Sequence, residues 1–238
     1  MTSSSSKPAP PIAEKRPVTL TVHGITRTDE FGWLRADNWQ DAMRDPSLLP
    51  EDIAAYLKAE NAYCAAAMAD TEDLQATLVR EMRGRIQEDD QTVPMAHGPY
   101  LYGRRTVEGG EHFKITRQPR DGGAEEVILD VDAEAQKHDY FVVGQSEICP
   151  NHRFLAWSAD TSGAEFFTLR FRDTQTDEDL ATEIADVASF VWADAETLFY
   201  ARDDEFHRPT RIYRHRFQSD EADVLVYEEK DPRYFVDV

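Results

Sequence analysis

The sequence predicts a mainly β fold: a partial β-propeller of about three blades plus the first strand of a fourth, preceded by a helical N-terminal segment. Apolar residues recur at helical spacing between positions 51 and 86, and short alternating segments separated by turn residues follow Gln91. These segments also repeat, at an offset of 43 residues between positions 154 and 197. A period of about 40–50 residues that holds four strands is typical of a propeller blade.

The chain is expected to begin with a disordered leader over residues 1–16, which is rich in Ser and Pro and has no apolar core segment of a signal peptide. Residues 17–90 are expected to form the helical segment. It opens with a strand candidate, Val18–Val22, which is followed by a stretch rich in turn residues and aromatics up to residue 39.

Two amphipathic helices are predicted between Pro50 and Gly84. Pro50, followed by Glu51 and Asp52, suits the start of the first helix, because proline loses no needed hydrogen bond there and acidic side chains favour the helix dipole. Asp70 or Thr71 can cap the second helix. One amphipathic face is expected on each helix, formed by Ile53, Tyr56, Leu57, Glu60, Tyr63, Cys64, Ala67 and Met68 on the first and by Leu74, Leu78 and Met82 on the second. The apolar side chains of these faces, including Ile53, Leu57, Leu74 and Leu78, are expected to be exposed on the isolated chain.

Residues 91–238 are predicted to form the propeller. Residues 154–160 align with residues 197–203, and residues 93–132 fit a looser first copy. An antiparallel sandwich would also give alternating strands, but it does not need a fixed repeat. Tyr234–Val236 matches Tyr140–Val142, so the chain is expected to end on the first strand of a fourth blade.

Charge and cysteine content narrow the classes of partner. The chain has 26 basic and 46 acidic residues, a formal net charge of −20, which argues against nucleic acid or an anionic membrane as partner. Its two cysteines, Cys64 and Cys149, form no CxxC word, and no apolar run is long enough to span a membrane. A reducing cytoplasm is therefore the expected location, and no cofactor is expected.

No residue of the chain is predicted to be catalytic, cofactor-binding or metal-binding. Ser146, in Gly-Gln-Ser-Glu-Ile, lacks the second glycine of a nucleophile elbow and is interpreted as part of a blade, as is its repeat equivalent Ser189. Asp160 and Asp203, also equivalent, are expected to form turns. The seven histidines have no paired-ligand spacing, and the pairs Asp130/Asp132 and Asp177/Asp179 indicate calcium only weakly.

Several words resemble the oligopeptidase B branch of the prolyl oligopeptidase family. These are HGITRTDEFGWLRADN at 23–38, YLKAENAY at 56–63, EMRGRIQEDDQTVP at 81–94, the blade-like stretch 125–173, and YRHRFQSDEADVLVYEEKDPRYFVDV at the end. The resemblance extends from Pro11 to Val238. It implies that a seven-bladed propeller caps an α/β-hydrolase lobe, to which residues 17–90 would belong. It also implies cleavage of short peptides after Lys or Arg by a Ser-Asp-His triad in a C-terminal lobe.

Two functions from different classes follow from the sequence. In the first, the chain is the N-terminal portion of such a serine peptidase, provides scaffold and substrate gating, and is inactive without the C-terminal hydrolase domain that would be its partner. In the second, it is a non-catalytic propeller fragment that binds peptides or proteins. An independent hydrolase using Ser146 is a third, weaker interpretation.

Overall fold

The computed structural model describes residues 8–238. Contacts divide the chain into two compact units, one ending at Ile86 and the other running from Gln87 to Val238. Seven residues of the expected leader lie outside the described residues. The remainder of that leader forms neither helix nor strand, although the Glu14 carbonyl oxygen accepts a hydrogen bond from Trp33 Nε1 at 2.8 Å.

The first unit opens with a hairpin of β1 (Val18–Val22) and β2 (Ile25–Asp29). Its two turn residues, His23 and Gly24, both have positive φ, at 53° and 74°. A two-residue turn of this kind matches the right-handed twist of the strands it joins. The turn-rich stretch after Val22 therefore contains a second strand, which its composition did not reveal.

Helices follow the hairpin in the first unit. They are α1 (Trp39–Arg44), α2 (Glu51–Met68) and α3 (Glu72–Arg83), with 3₁₀ turns at Gly32–Leu34, Pro46–Leu48 and Ala69–Thr71. The two predicted amphipathic helices are thus present. Leu57, Leu74 and Leu78 are exposed, at 46%, 58% and 46%, whereas Ile53 is only 4% exposed. The expectation that the whole apolar face of α2 is exposed is wrong at Ile53, which packs inside the first unit.

The second unit consists of three four-stranded antiparallel sheets, each ordered as in a propeller blade. Blade 1 holds β3 (Met95–His97), β4 (Tyr100–Arg105), β5 (Lys114–Pro119) and β6 (Glu126–Asp130), followed by the short helix α4 (Val131–Ala135). Blade 2 holds β7 (Val142–Ile148), β8 (Phe154–Asp160), β9 (Thr168–Asp173) and β10 (Glu178–Ile184). Blade 3 holds β11 (Val187–Trp192), β12 (Thr197–Asp203), β13 (Pro209–Arg216) and β14 (Val224–Glu228).

The predicted repeat coincides with the blades. The aligned segments 154–160 and 197–203 are β8 and β12, the second strands of consecutive sheets. The equivalent residues Trp157 and Tyr200 are both 1% exposed. The aligned aromatic residues fill the core, so the sequence repeat arises from equivalent packing in successive blades. The propeller, and not the antiparallel sandwich, is therefore confirmed.

Two apolar clusters lie where neighbouring blades meet. We call the junction of blades 1 and 2 the first seam and that of blades 2 and 3 the second seam. The first seam is filled by Ile115, Ile128, Leu129, Val131, Phe141, Ile148, Leu155, Trp157 and Ala159. The second is filled by Cys149, Phe154, Ala156, Leu169, Phe171, Ile184, Val187, Phe190, Trp192, Leu198, Tyr200 and Phe217.

The terminal segment differs from its prediction. Tyr234–Val238 lies outside the assigned strands, and the Val236 amide donates instead to the Pro209 carbonyl at 2.8 Å. Its counterpart β7 begins at Val142, which aligns with Val236, so only the residues from Val236 onward match strand positions. Apart from that one bond to Pro209, Val236–Val238 pairs with no strand among the described residues and so forms no ladder of hydrogen bonds.

Candidate functional site

The serine singled out in the sequence belongs to a sheet. Ser146 lies on β7 opposite Trp157 of β8, next to a bulge between Val143 and Ser146. A nucleophile elbow needs a serine at a tight turn from a strand into a helix, whereas β7 runs through a turn into β8. The sequence contains no G-x-S-x-G word.

A cavity of about 700 Å³ opens at the inner strands of the first seam. Ile115, Ile128 and Leu155 contribute apolar walls, and the polar residues His97 and Glu147 also line it. Burial raises the pKa of Glu147, an effect opposed by a hydrogen bond from the Trp192 amide and by the nearby His97. Ser146 lines the same cavity but has no hydrogen-bonded base in the described structure.

A histidine-centred cluster lies at the first seam. His152, at the turn from β7 to β8, has a φ of 58°, and its Nδ1 lies 3.0 Å from the Tyr102 hydroxyl of blade 1. The two rings are stacked, and the His97 ring centroid is 5.0 Å from that of His152. Arg117 Nη1 donates to the His152 carbonyl oxygen at 2.7 Å. Burial, the His97 ring and the Arg117 charge together lower the pKa of His152.

The second seam is joined by a different chemistry. The Gln145 side chain of β7 donates to the Phe190 carbonyl oxygen at 2.7 Å and accepts from the Phe190 amide at 3.2 Å. The indole Nε1 of Trp192 donates to the Glu147 carbonyl oxygen at 3.3 Å. One amide side chain thus supplies both hydrogen bonds that a neighbouring strand would supply.

A buried ion cluster also crosses the first seam. Arg172 of β9 donates to Glu134 of α4 at 2.7 Å and, through Nε and Nη2, to Asp179 of β10 at 2.8 and 3.1 Å. The Arg172 and Glu134 side chains are only 8% and 9% exposed. Burial raises the pKa of Glu134, but the bonds from Lys137 and Arg172 outweigh burial, so the pKa lies below its usual value.

Only one of the two predicted turn-forming aspartates has that role. Asp160 is 2% exposed and accepts hydrogen bonds from the Ser162 amide and hydroxyl and from the Gly163 and Glu165 amides. Burial raises its pKa, but these bonds outweigh burial and hold the pKa below its usual value.

In blade 3 the turn is formed one residue later. Asp204 accepts from the Phe206 and Arg208 amides, at 2.8 and 3.1 Å. Burial chiefly raises the pKa of Asp203, which accepts none of these bonds. The prediction for Asp203 is therefore wrong, because a register shift in the β12–β13 pairing at Arg202/Asp203 moves the turn by one residue.

The aspartate pairs that indicated calcium only weakly have members with structural roles. Asp130 caps α4 by accepting from the Ala133 amide and forms an ion pair with Lys114, while Asp132 accepts from the Glu111 and His112 amides. Asp179 binds Arg172. Within residues 8–238, no group of three or more His, Cys, Asp or Glu side chains could hold a metal ion.

A further, partly buried cluster joins β12, β13 and the segment before β14 in blade 3. Asp223 accepts from the Tyr200 hydroxyl at 2.7 Å and lies 2.8 Å from His215 Nδ1. The Phe171 ring stacks on the 6% exposed His215. Neither this cluster nor the His152 cluster could be read from the sequence, because their members lie on different strands at no fixed spacing.

Comparison with known proteins gives the family. Residues 10–238 match the family model of the prolyl oligopeptidase N-terminal β-propeller domain. The chain is 32% identical over 255 aligned positions to dipeptidyl aminopeptidase BI of Pseudoxanthomonas mexicana, covering 98% of this chain and 34% of that protein. It is 28% identical to protease 2 of Moraxella lacunata, covering 94% of this chain and 32% of that protein.

A solved structure extends the match to the fold. Oligopeptidase B from Leishmania major superposes with a TM-score of 0.84 at 30% identity, over 95% of this chain and 34% of that one. The chain therefore spans about a third of the length of the relatives it matches. No helix among residues 8–238 is long and apolar enough to cross a membrane. Because the family model matches nearly the whole sequence, the chain belongs to the prolyl oligopeptidase family, whose N-terminal propeller domain it carries.

Proposed function

We propose that the chain is the propeller portion of a cytoplasmic oligopeptidase that hydrolyses short peptides after Lys or Arg. In this role it provides the scaffold and the gate that admits small substrates, and a C-terminal hydrolase domain is its partner and performs the chemistry. The observation that carries the proposal is the match of residues 10–238 to the propeller domain of a peptidase family.

The position of Ser146 supports a non-catalytic role for this part of the protein. Ser146 is held in a strand. A serine hydroxyl meets oxyanion donors at a nucleophile elbow, and Ser146 does not lie at one. A metal-assisted route has no group of three ligands among the described residues. Both observations favour a chain whose contribution is shape and electrostatics.

The charge of the chain supports a preference for basic peptides. A net charge of −20 produces a negative potential that raises the encounter rate with cationic ligands and weakens as salt is added. The resemblance of the sequence to the oligopeptidase B branch implies the same substrate class.

A chimaera tests the proposal. The matched N-terminal third of Leishmania major oligopeptidase B is replaced by this chain, and kcat/KM is measured on short amides ending in Arg, Lys or Ala. We expect hydrolysis after Arg and Lys, little after Ala, and no cleavage of a long unfolded polypeptide. This chain alone and the remaining part of the Leishmania enzyme alone are the controls.

Each outcome bears on the proposal. Hydrolysis by this chain alone would place a catalytic site within it and overturn the proposal. A folded chimaera that is no more active than the Leishmania remainder would show that this propeller is no scaffold for that lobe. Binding of basic peptides by the isolated chain, with an inactive chimaera, would favour the non-catalytic binding module.

A further inference from the structure

The two seams of the propeller are closed by different means. At the second seam, Gln145 and Glu147 bind the backbone of β11 directly. At the first seam, no hydrogen bond among residues 8–238 joins the inner strands β3 and β7, and the cavity of about 700 Å³ lies beside them. The inner part of the first seam is therefore the more weakly packed of the two.

The turn carrying His152 closes one end of that weak junction. A Cβ atom at Gly98 would lie 2.2 Å from His152 Nε2, so the imidazole rests directly on the blade 1 backbone. Tyr100 and Tyr102 flank the ring, with centroids 5.7 and 6.1 Å from it. Arg117 reaches across the seam to the His152 carbonyl and to Thr174 Oγ1, at 2.7 and 3.0 Å.

Arg117 is a cation in direct contact with His152, and its charge opposes protonation of the imidazole. The ionisable groups facing it from blade 1 are His97 on β3, Tyr100 and Tyr102 on β4, and Arg117 on β5. Glu126 on β6, also in blade 1, pairs with Arg117 Nε at 2.8 Å and is half exposed. On the side of blade 2, Arg153 follows His152 and is paired with Asp173.

We propose that the first seam is an acid-sensitive junction, in which protonation of His152 loosens blade 1 from blade 2 while the second seam stays closed. The neutral ring can accept a hydrogen bond from the Tyr102 hydroxyl at Nδ1 and pack against Gly98. The imidazolium can meet Tyr102 only as a donor, so that bond must reverse, and it places a second positive charge beside Arg117 in a half-buried site.

The direction of the pH effect follows from linkage. Because the closed seam holds the pKa of His152 below its usual value, the open seam binds more protons in mildly acidic solution. The stabilisation of the closed seam by neutral His152 is complete above the usual histidine pKa of about 6.5. It is lost as the pH falls toward the lowered pKa of His152 in the closed seam. A histidine with the usual pKa is about nine-tenths protonated at pH 5.5, so opening is favoured up to about tenfold over pH 7.5.

Hydrogen exchange of the whole chain tests this proposal. Protection factors, corrected for intrinsic exchange, are measured at pH 7.5 and 5.5 for peptides covering residues 93–105, 142–148 and 187–192. We expect the first two peptides to lose up to about tenfold protection at the lower pH. The peptide 187–192, at the second seam, is expected to keep its protection.

Two variants make the test specific. His152→Asn keeps a side chain that tolerates positive φ and can bond to Tyr102 but does not titrate, so it should abolish the pH dependence. The matched control His97→Asn removes the neighbouring imidazole but leaves His152 buried beside Arg117, so it should retain a pH dependence. Unchanged protection of the parent chain between the two pH values would overturn the proposal, as would a pH dependence that persists in His152→Asn. Equal loss at both seams would overturn it too, because it would indicate general acid unfolding.

Discussion

Replacing Arg172 by methionine removes the one cation that Glu134 and Asp179 share across the first seam. Methionine keeps much of the buried stem, so the change reports mainly on charge. Glu134, 9% exposed, would keep only Lys137, whose side chain is 59% exposed, while Asp179, 30% exposed, can be hydrated. Breaking a buried ion pair lowers the free energy of unfolding by about 3–5 kcal/mol. Because Asp179 can be hydrated, we expect a loss of about 3 kcal/mol for Arg172→Met.

Glu134→Gln provides the comparison. Arg172 would keep both bonds to Asp179, and the glutamine oxygen can still accept, so we expect a loss of only about 1 kcal/mol. The double variant, Arg172→Met with Glu134→Gln, has no buried carboxylate at position 134. Its loss of unfolding free energy should be about 1 kcal/mol or more below the sum of the two single losses.

Urea unfolding, followed by circular dichroism and by intrinsic fluorescence, measures all three variants. The fluorescence comes from four tryptophans. Trp157 is the one whose ring lies 5.9 Å from the Arg172 guanidinium, so its share of the signal reports on the affected seam. A cost below about 1 kcal/mol for Arg172→Met, or strictly additive costs in the double variant, would refute the reasoning. Either result would mean that solvent compensates the carboxylates despite their burial.

Three further predictions concern single positions. Gly98→Ala should destabilise the second unit by about 2 kcal/mol in thermal unfolding, because φ there is +53° and the new methyl would collide with His152, whereas Gly109→Ala meets no neighbour within 4 Å and controls for the positive φ. Asp160→Ala should lower the free energy of unfolding by about 3 kcal/mol at neutral pH. Because the folded protein lowers the pKa of Asp160, this contribution should be complete above about pH 4 and disappear as the pH falls further, and an unchanged midpoint of acid unfolding in the variant would contradict this. Leu78→Lys should change stability by less than about 0.5 kcal/mol but reduce binding of a hydrophobic dye; unchanged dye binding would locate the dye elsewhere.

Local patterns predicted the elements because helices and strands impose their own periods on the sequence. The alternation after Gln91 and the helical spacing of α2 and α3 are confirmed, and so is the repeat, because equivalent core positions such as Trp157 and Tyr200 must fill equivalent space. Burial was less predictable. Ile53 and the exposed Leu57 lie four residues apart on the same predicted face of α2. Helical spacing places both residues on that face but does not indicate which part of the face is covered.

Contacts between blades could not be predicted from spacing. His152 meets Tyr102 at a separation of 50 residues, and Arg172 meets Glu134 at 38. Neither separation equals the blade repeat, because each contact joins a turn or helix of one blade to a strand of another. The shift of the turn role from Asp203 to Asp204 has a similar origin, since it depends on a one-residue irregularity in strand pairing.

The Gln145 side chain has a consequence for how the propeller unfolds. Its two hydrogen bonds to Phe190 make β7 and β11 behave as if they were paired, so blades 2 and 3 share one cooperative unit. In a chain of repeats, the order of unfolding follows the weakest interface between neighbours. Blade 1 is therefore expected to detach first on heating, leaving a two-blade intermediate, and Gln145→Leu should merge the two steps by weakening the stronger junction.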